Sequence, residues 1–494
     1  MCTTEPELRR RTWAGWRAPG LSGRVRAGAG ASGAPACRRR DGRRYSRRVF
    51  DWPDLLADHG SFTRLSGEAD SLDAGRATIA GHPVMLVWCR FEVAAGTLSL
   101  AAGDRFCTAL DLAVAERRPV VAIANSGGAR MQEGTRAFMQ MLPTLAAVTR
   151  VRRAGLPVIV HLAHPTTGGV LASWASAAQF LTAEPGATLG FTGPRVAAMI
   201  GEPIEPPEVQ TAEGYLAAGH VDAICVVHDL RDRIGHILSA LAPADPSLPP
   251  AAGPEVAIGP TGWDAVVASR APDRTPVIDG LASTADVCVE LSGDRSGGTD
   301  PSVAALLMRV AGRPMLVLGH RRVDGAPARP TVAGLRLGRR MMRLAGELGL
   351  PLVTVVDTAG AHLAGEAERL GLPGEIARSI EDMGALVVPT VAVVDGQGAG
   401  GAAIAWMAAD TVLATPDSFV APIAPEAGSV ILHRDPTHAA ELAELQQVSA
   451  IELRDAGIVD AVHAAPMMVG AIVAAIDRMR PAGAGRQSDP VGQA

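Results

Sequence analysis

Apolar runs that lead directly into glycine-rich turns recur along the chain. The run PVVAIA at 119–124 precedes NSGGAR at 125–130, and PLVTVV at 351–356 precedes DTAGAH at 357–362. A short, continuous apolar run bounded by turn residues is typical of a strand buried on both faces. The pattern therefore predicts buried strands that each end at a glycine turn.

The two halves of the chain repeat this pattern in register. NSGGAR and DTAGAH are 232 positions apart, and the pair Gly168 and Gly169 is matched by Gly400 and Gly401 at the same offset. AGHVD in the first half also returns as AGIVD in the second. Each half is predicted to alternate strands, glycine turns and helices, which indicates a tandem α/β repeat. In such folds ligands bind outside the carboxyl ends of the strands, where these turns lie.

Composition shifts divide the chain into five predicted segments. Residues 1–48 hold thirteen arginines against three acidic residues, which favours a disordered tail over a transit peptide or a nucleic-acid patch. A first domain is predicted over 49–245 and a second over 263–480. The segment 246–262 is rich in proline and glycine and is predicted to be a linker, and 481–494 is a second predicted tail.

The composition also excludes several classes of function. The net charge is -5 and aromatic residues make up 3%, which argues against nucleic-acid binding. The best apolar stretch, 385–409, is broken by Asp395 and four glycines, so no membrane span is predicted. The six cysteines are scattered without a CxxC pair, which predicts no metal site and a reduced, cytoplasmic protein. Because the chain contains no lysine, it cannot carry biotin or lipoate covalently.

The glycine turns are the candidate functional groups. Glycine lets a ligand oxygen approach bare backbone N–H groups, and two converging turns could form an oxyanion hole. The alternative is that these glycines only permit tight turns and close packing. Ser126 lies in NSGGA rather than GxSxG, so it is interpreted as a turn residue and not as a nucleophile.

Three histidines and two arginines lie near the predicted turns. His161, His164 and His362 could move protons, but a structural role is favoured for each. Arg130 and Arg195 could bind a phosphate or a carboxylate, and a structural ion pair is an equal alternative.

These motifs together resemble a known family. The first half resembles the β subunit of the acetyl-CoA carboxylase carboxyltransferase in SGGARMQEG (126–134), PTTGG (165–169) and AEPGATLGFTGPRV (183–196). The second half resembles the α subunit in WDAVVASRAPDR (263–274), DTAGA (357–361), GQGAGGA (396–402), APEAGSVIL (424–432) and LRDAGIVD (453–460). The resemblance covers about 49–478, as in a β–α fusion.

The resemblance implies a crotonase-like fold of repeated ββα units in each half and biotin-dependent carboxyl transfer from carboxybiotin to acetyl-CoA. It implies that amides of the first half hold the thioester oxygen as an enolate forms, and that amides of the second half hold the biotin ureido oxygen. The residues so assigned are Gly127, Gly128, Gly168 and Gly169 for the first role, and Gly360, Gly400 and Gly401 for the second. Cofactor binding is assigned to Arg130, Arg195, Ala361 and His362.

The implied partners are a biotin carboxyl carrier protein, a biotin carboxylase, an acyl-CoA and further copies of this chain. The four-cysteine zinc ribbon of many bacterial β subunits is not matched, so no metal is expected. Ala359 replaces a proline of the α-subunit pattern and His362 replaces a tyrosine. A malonyl-thioester decarboxylase and a non-catalytic assembly subunit are therefore alternatives. Acyl chain length is expected to depend on residues such as Phe191 and Thr192.

Overall fold

Two mixed β-sheets, one from each half of the sequence, form the frame of the molecule in the computed structural model, which describes residues 50–247 and 249–479. The strands of the first sheet are β1 (Thr63–Arg64), β2 (Leu72–Ile79), β3 (His82–Cys89), β4 (Val120–Ser126), β5 (Val158–Thr167), β6 (Phe180–Ala183), β7 (Leu189–Gly190) and β8 (Ala223–Ile224). Those of the second are β9 (Ala285–Leu291), β10 (Val303–Val310), β11 (Arg313–His320), β12 (Leu352–Thr358), β13 (Thr390–Ala399), β14 (Thr411–Ala414), β15 (Phe419–Ala421) and β16 (Ala461–Val462).

Helices follow these strands in both halves. In the first half they are α1 (Trp52–Leu56), α2 (Leu100–Ala115), α3 (Gly134–Phe138), α4 (Met141–Arg153), α5 (Gly168–Val170), α6 (Pro194–Met199), α7 (Ala212–Ala217) and α8 (Val227–Leu241). In the second they are α9 (Gly262–Ser269), α10 (Val277–Thr284), α11 (Val332–Leu348), α12 (Gly365–Arg369), α13 (Leu372–Gly384), α14 (Gly400–Ile404), α15 (Pro425–His433), α16 (Ala439–Gln446), α17 (Ala450–Asp455) and α18 (Ala465–Met479). Shorter helical turns span Ala94–Gly96, Met131–Glu133, Leu171–Ala175 and Pro207–Gln210.

The two sheets have the same topology. The first is ordered β1-β2-β3-β4-β5-β6-β8, with β7 beside β5, and the second is ordered β9-β10-β11-β12-β13-β14-β16, with β15 beside β13. In each, an antiparallel hairpin leads into parallel strands, as β2 with β3 and then β4. Parallel strands buried on both faces explain the continuous apolar runs in the sequence. The predicted α/β repeat is confirmed.

Equivalent helix caps reproduce the repeat in local detail. The Ser99 hydroxyl accepts the Ala102 N–H at the start of α2, and the Thr331 hydroxyl accepts the Gly334 N–H at the start of α11. Ser and Thr are favoured N-cap residues because their side chains accept one of the first free helix amides. The cap therefore fixes the same helix start in both halves.

One apolar cluster spans both halves, beside further clusters that belong to the first or the second half alone. Helix α8 belongs to the first half of the sequence but packs against β9 and β10 of the second sheet. Its buried residues Leu230, Ile234 and Leu238 lie in one apolar cluster with Val289 and Leu307. A buried ion-pair group also joins the halves: Asp222 accepts from Arg295 at 2.7 Å and from Arg340 at 2.8 Å. Burial alone would raise the pKa of Asp222, but these two arginines hold it below its usual value.

The described residues of the predicted linker lack regular secondary structure up to Gly262, where α9 begins, and they lie along the second half. Asp245, just before it, donates its N–H to the Gly312 carbonyl at 3.0 Å, and Val256 donates to the Val462 carbonyl at 2.8 Å. The predicted tails 1–48 and 481–494 fall outside the described residues.

Candidate active site

The first glycine turn follows β4 and is closed by its own serine. The Ser126 side chain is buried, and its Oγ accepts the Gly128 N–H at 3.0 Å. Gly127 donates its N–H to the Ala95 carbonyl at 2.9 Å. Gly128 has φ +105°, a left-handed conformation that favours glycine. Ser126 is thus a turn residue, as predicted, and the amides of Gly127 and Gly128, two of the four predicted to face the thioester oxygen, are bonded within the protein.

The next amide along this turn has no such bond. Within the described residues, Ala129 N–H has no hydrogen-bond acceptor, although its neighbours Gly128 and Arg130 pair with Leu98 on either side. Ala129 is half-buried, so its amide is near the surface of the turn. Ala129 is therefore the better donor of this turn. The sequence contained a signal for it, because its counterpart in the repeat is Ala361, which was singled out in the second half.

The second glycine turn of the first half touches the first. It follows β5, and Gly168 has φ +64°. A Cβ added to Gly168 would lie 3.0 Å from the Gly128 Cα, and one added to Gly128 would lie 3.3 Å from the Gly169 N. Gly169 is the second residue of α5, a position where an amide has no acceptor inside the helix. The two turns that the sequence predicts to converge do so.

The second half repeats this construction. Thr358 replaces Ser126, and its Oγ1 accepts the Gly360 N–H at 3.1 Å. Gly360 has φ +106° and Gly400 has φ +68°, close to their counterparts. Ala361 N–H has no acceptor among the described residues, whereas the next amide, of His362, donates to the Pro330 carbonyl at 2.9 Å. The candidate donors of this half are accordingly Ala361 and Gly401.

The lack of a side chain at Gly169 and Gly401 does not make room for a ligand. A Cβ on Gly169 would meet the Met141 Sδ at 2.8 Å, and one on Gly401 would meet the Ile376 Cδ1 at 2.9 Å. Both directions point into the packing against α4 and α13. Only their amides are left as candidates for ligand contact.

A buried charged network lies beside the second-half turn. The Arg274 guanidinium donates to the Asp395 carboxylate at 2.9 Å and lies 3.6 Å from Asp357. Asp357 accepts the Gln397 N–H at 3.0 Å and is 3.5 Å from the Arg322 Nε. Burial raises the pKa of Asp395 to about 7, although Arg274 opposes the shift. These residues join the ends of β12 and β13.

The sequence did not identify this network. Arg274 is far from Asp357 and Asp395 along the chain, and Asp395 lies in an apolar run. The Arg274 position within the motif 263–274 was the available signal.

The predicted arginines occupy different settings. The Arg130 Nη1 lies 2.8 Å from the Asp70 carboxylate, and its Nε donates to the Thr97 Oγ1 at 3.2 Å. Arg130 therefore forms the structural ion pair that was the alternative to binding a phosphate or a carboxylate. This geometry does not support its assignment to cofactor binding. Arg195 lies exposed on α6.

The three predicted histidines also lie in different environments. His161 is buried with its Nδ1 3.0 Å from the Thr182 Oγ1, and burial lowers its pKa to about 3, so the ring is neutral. The His164 Nδ1 accepts the Thr188 N–H at 3.0 Å, while His362 is exposed beside the second-half turn. His320, which was not predicted, stacks on Trp406 with ring centroids 4.2 Å apart. The structural role holds for His161 and His164.

In the described ranges, no three His, Cys, Asp or Glu side chains are arranged to hold a metal ion. No helix of the described chain has the length and apolar character to cross a bilayer.

Comparisons with known proteins identify relatives of this chain. Residues 258–477 match the family described as acetyl co-enzyme A carboxylase carboxyltransferase-like. The chain is 43% identical over 403 residues to the "Probable biotin-dependent acyl-coenzyme A carboxylase beta3 subunit" of Mycobacterium tuberculosis (strain ATCC 25618 / H37Rv), which covers 80% of each sequence. It is 36% identical over 437 residues to the acetyl-coenzyme A carboxylase carboxyl transferase subunits beta/alpha of Salinispora arenicola, which covers 85% of this chain and 77% of the relative.

Solved structures show the same fold. Transcarboxylase 12S, solved as a hexamer with methylmalonyl-coenzyme A and methylmalonic acid bound, superimposes with a TM-score of 0.73 at 20% identity, over 89% of this chain and 91% of that one. A single-chain, multi-domain long-chain acyl-CoA carboxylase gives 0.69 at 20% identity, over 86% and 45%.

Because these solved structures share the architecture of this chain, the predicted fold class is confirmed. The chain belongs to the carboxyltransferase family of biotin-dependent acyl-CoA carboxylases.

Proposed function

We propose that this chain is the carboxyltransferase component of an acyl-CoA carboxylase. It would move the carboxyl group of carboxybiotin, borne by a separate carrier protein, to acetyl-CoA or another short acyl-CoA, with malonyl-CoA as the simplest product. The observation that carries the proposal is the pair of matching turns, one in each half of the repeat and each with an unbonded amide. Each pair of donors, Ala129 with Gly169 and Ala361 with Gly401, would form a cradle for one of the two oxygens that become negative during the transfer.

The first-half cradle suits the thioester oxygen. When the α-carbon of the acyl-CoA loses a proton, the electron pair of the C–H bond moves toward this oxygen and an enolate forms. Amides of Ala129 and Gly169 would donate to it, and one such donor contributes about 2.7–4 kcal/mol of transition-state stabilisation. The α-carbon then forms its new C–C bond to CO₂, and the charge leaves the oxygen.

The second-half cradle suits the ureido oxygen of biotin. Ala361 and Gly401 would supply the amides, and their lack of acceptors within the described residues fits a polar carbonyl group of this kind. Bound there, carboxybiotin would supply both the CO₂ and the basic nitrogen for the α-proton. Because this chain has no lysine, the biotin must be attached to another protein. A biotin carboxyl carrier protein and a biotin carboxylase are therefore the proposed partners.

The test uses a pair of substitutions at one position. Gly169→Pro removes the amide N–H, and proline is tolerated in the first turn of a helix. Gly169→Ala keeps the N–H and is the matched control. With carboxylated carrier and acetyl-CoA, we expect kcat to fall about 10²–10³-fold in Gly169→Pro relative to Gly169→Ala. Equal rates in the two variants would refute the amide role.

Two further assays separate the alternative functions. Release of CO₂ from malonyl-CoA without carrier or biotin would identify a decarboxylase. Binding of CoA esters without any carboxyl exchange would identify a non-catalytic subunit. A homo-oligomeric assembly and a cytoplasmic location remain predictions, which sedimentation and cell fractionation would test.

A further inference from the structure

A cavity of about 520 Å³ lies beside the first-half cradle. It is open to solvent and is lined by the end of β7, the turn Pro207–Gln210 and helix α7. The wall residues that carry the argument are Phe191, Glu208, Val209, Tyr215 and His220. The carboxyl-transfer steps described above use none of them.

The strand pairing connects this cavity to the cradle. Gly190, on the cavity wall, is paired in parallel with Thr167, the residue directly before Gly168. Neighbouring strands lie about 4.8 Å apart. The cavity therefore begins about one strand spacing from the turn that would hold the thioester, and Phe191 is the next residue along the wall.

The wall is predominantly apolar, and no lysine or arginine is among its described residues. The Phe191 side chain is 68% exposed and Val209 is 46% exposed, so a bound apolar group would cover both. Burial lowers the pKa of His220, which stands edge-on to Tyr215 with ring centroids 5.3 Å apart. Glu208 is acidic, and no arginine is among the described residues that line the cavity. The phosphates of coenzyme A would be repelled here, whereas a hydrocarbon chain would not.

We infer that this cavity binds the acyl chain of acyl-CoA substrates longer than acetyl-CoA. The inference rests on the proposed function and makes its substrate class more specific. Each methylene group moved from water into an apolar site improves binding about fourfold. A chain of several carbons would therefore raise kcat/KM through contacts that an acetyl group cannot make.

The experiment fills the cavity and leaves the cradle intact. Val209→Trp adds bulk to the wall, and Val267→Trp is the control, since Val267 is similarly exposed (54%) on α9 of the other half. We expect Val209→Trp to lower kcat/KM for octanoyl-CoA about tenfold or more while acetyl-CoA changes less than twofold. Val267→Trp should change neither.

Two readouts keep this test separate from the carboxyl-transfer proposal. Equilibrium binding of octanoyl-CoA and acetyl-CoA needs no turnover, so a failure of the proposed function would leave the cavity testable. The wild-type chain must also bind octanoyl-CoA more tightly than acetyl-CoA, which does not depend on the variant folding. Equal losses for both esters, no loss for either, or tighter binding of acetyl-CoA by the wild type would overturn the inference.

Discussion

The glycine turns of the two halves have the same local structure but different surroundings. In the first half the turns press backbone against backbone: a Cβ on Gly168 would come within 3.0 Å of the Gly128 Cα. In the second half the nearest atom to a Cβ on Gly360 is the Ala399 carbonyl oxygen at 3.7 Å. The repeat therefore preserved the turn and changed the packing that holds it.

The first residue of each turn differs between the halves, and so does its hydrogen bond to the next strand. In the amide orientation that satisfies its neighbours, Asn125 donates from its side-chain nitrogen to the carbonyls of His164 and Pro165 on the next strand, both at 3.3 Å. Its counterpart Asp357 accepts the N–H of Gln397, which occupies the position of Pro165. Because Pro165 has no backbone N–H and presents only a carbonyl, the side chain facing it must be a hydrogen-bond donor. Gln397 does have a backbone N–H, so the side chain facing it must be an acceptor. Only the second half therefore has a carboxylate here, and with it a need for buried arginine.

The largest predicted difference comes from removing that arginine. Arg274→Met leaves Asp395 and Asp357 buried without their shared cation, so we expect a loss of about 3–5 kcal/mol in the free energy of unfolding. Arg130→Met, which breaks the more exposed pair with Asp70 in the first half, should cost less. Urea titration of both variants measures the contrast. Equal losses would contradict it, and a raised KM for acyl-CoA in Arg130→Met would restore a binding role for that residue.

The second prediction concerns pH. Because the pKa of Asp395 is about 7 in the folded chain and 3.8 is its ordinary value, its protonated form stabilises the fold at low pH. This contribution, at most about 4 kcal/mol, is lost as the pH rises from about 4 to 7. In Asp395→Asn we expect that part of the pH dependence to disappear. The measurement is the difference between wild-type and Asp395→Asn unfolding free energies at each pH, which cancels the other carboxyl groups. A constant difference would be the contrary result.

The third prediction isolates backbone crowding. Gly168→Ala and Gly400→Ala place alanine at nearly equal positive φ, +64° and +68°, so each incurs about 1–2 kcal/mol of strain. Gly168→Ala additionally pushes on the Gly128 backbone, whereas the nearest atom at Gly400 is 3.5 Å away. We expect Gly168→Ala to have the lower melting temperature and the larger fall in kcat/KM. Equal effects would show that crowding adds nothing.

The smallest effect is predicted at Gly169 and Gly401. Alanine there meets the ends of the flexible side chains Met141 and Ile376, and alanine favours a helix by up to about 1 kcal/mol over glycine. Stability should therefore change by less than about 1 kcal/mol, and turnover should remain near that of the wild type. Any loss in Gly169→Ala should be recovered by Met141→Ala in the same chain. If turnover falls strongly and Met141→Ala does not restore it, the ligand must approach these glycines closely, which contradicts the prediction.

The sequence alone determined the α/β repeat, its offset and the family, because buried strands and glycine turns leave local patterns that survive in register. It located the turns but selected Gly127 and Gly128, since a pattern of glycines does not show which amides are already bonded. That Ala129 and Ala361 are left without acceptors depends on contacts that their neighbours make with other segments of the chain, such as those of Ala95 and Pro330.

Tertiary structure also decided the features that join distant segments. Helix α8 crosses to the second sheet, and Arg274 reaches two aspartates that lie much further along the chain. The cavity beside Gly190 exists only because β7 pairs with β5. Local patterns record the conformation of a segment, whereas burial and charge pairing belong to residues brought together by folding, and these fix which groups remain free to bind a ligand.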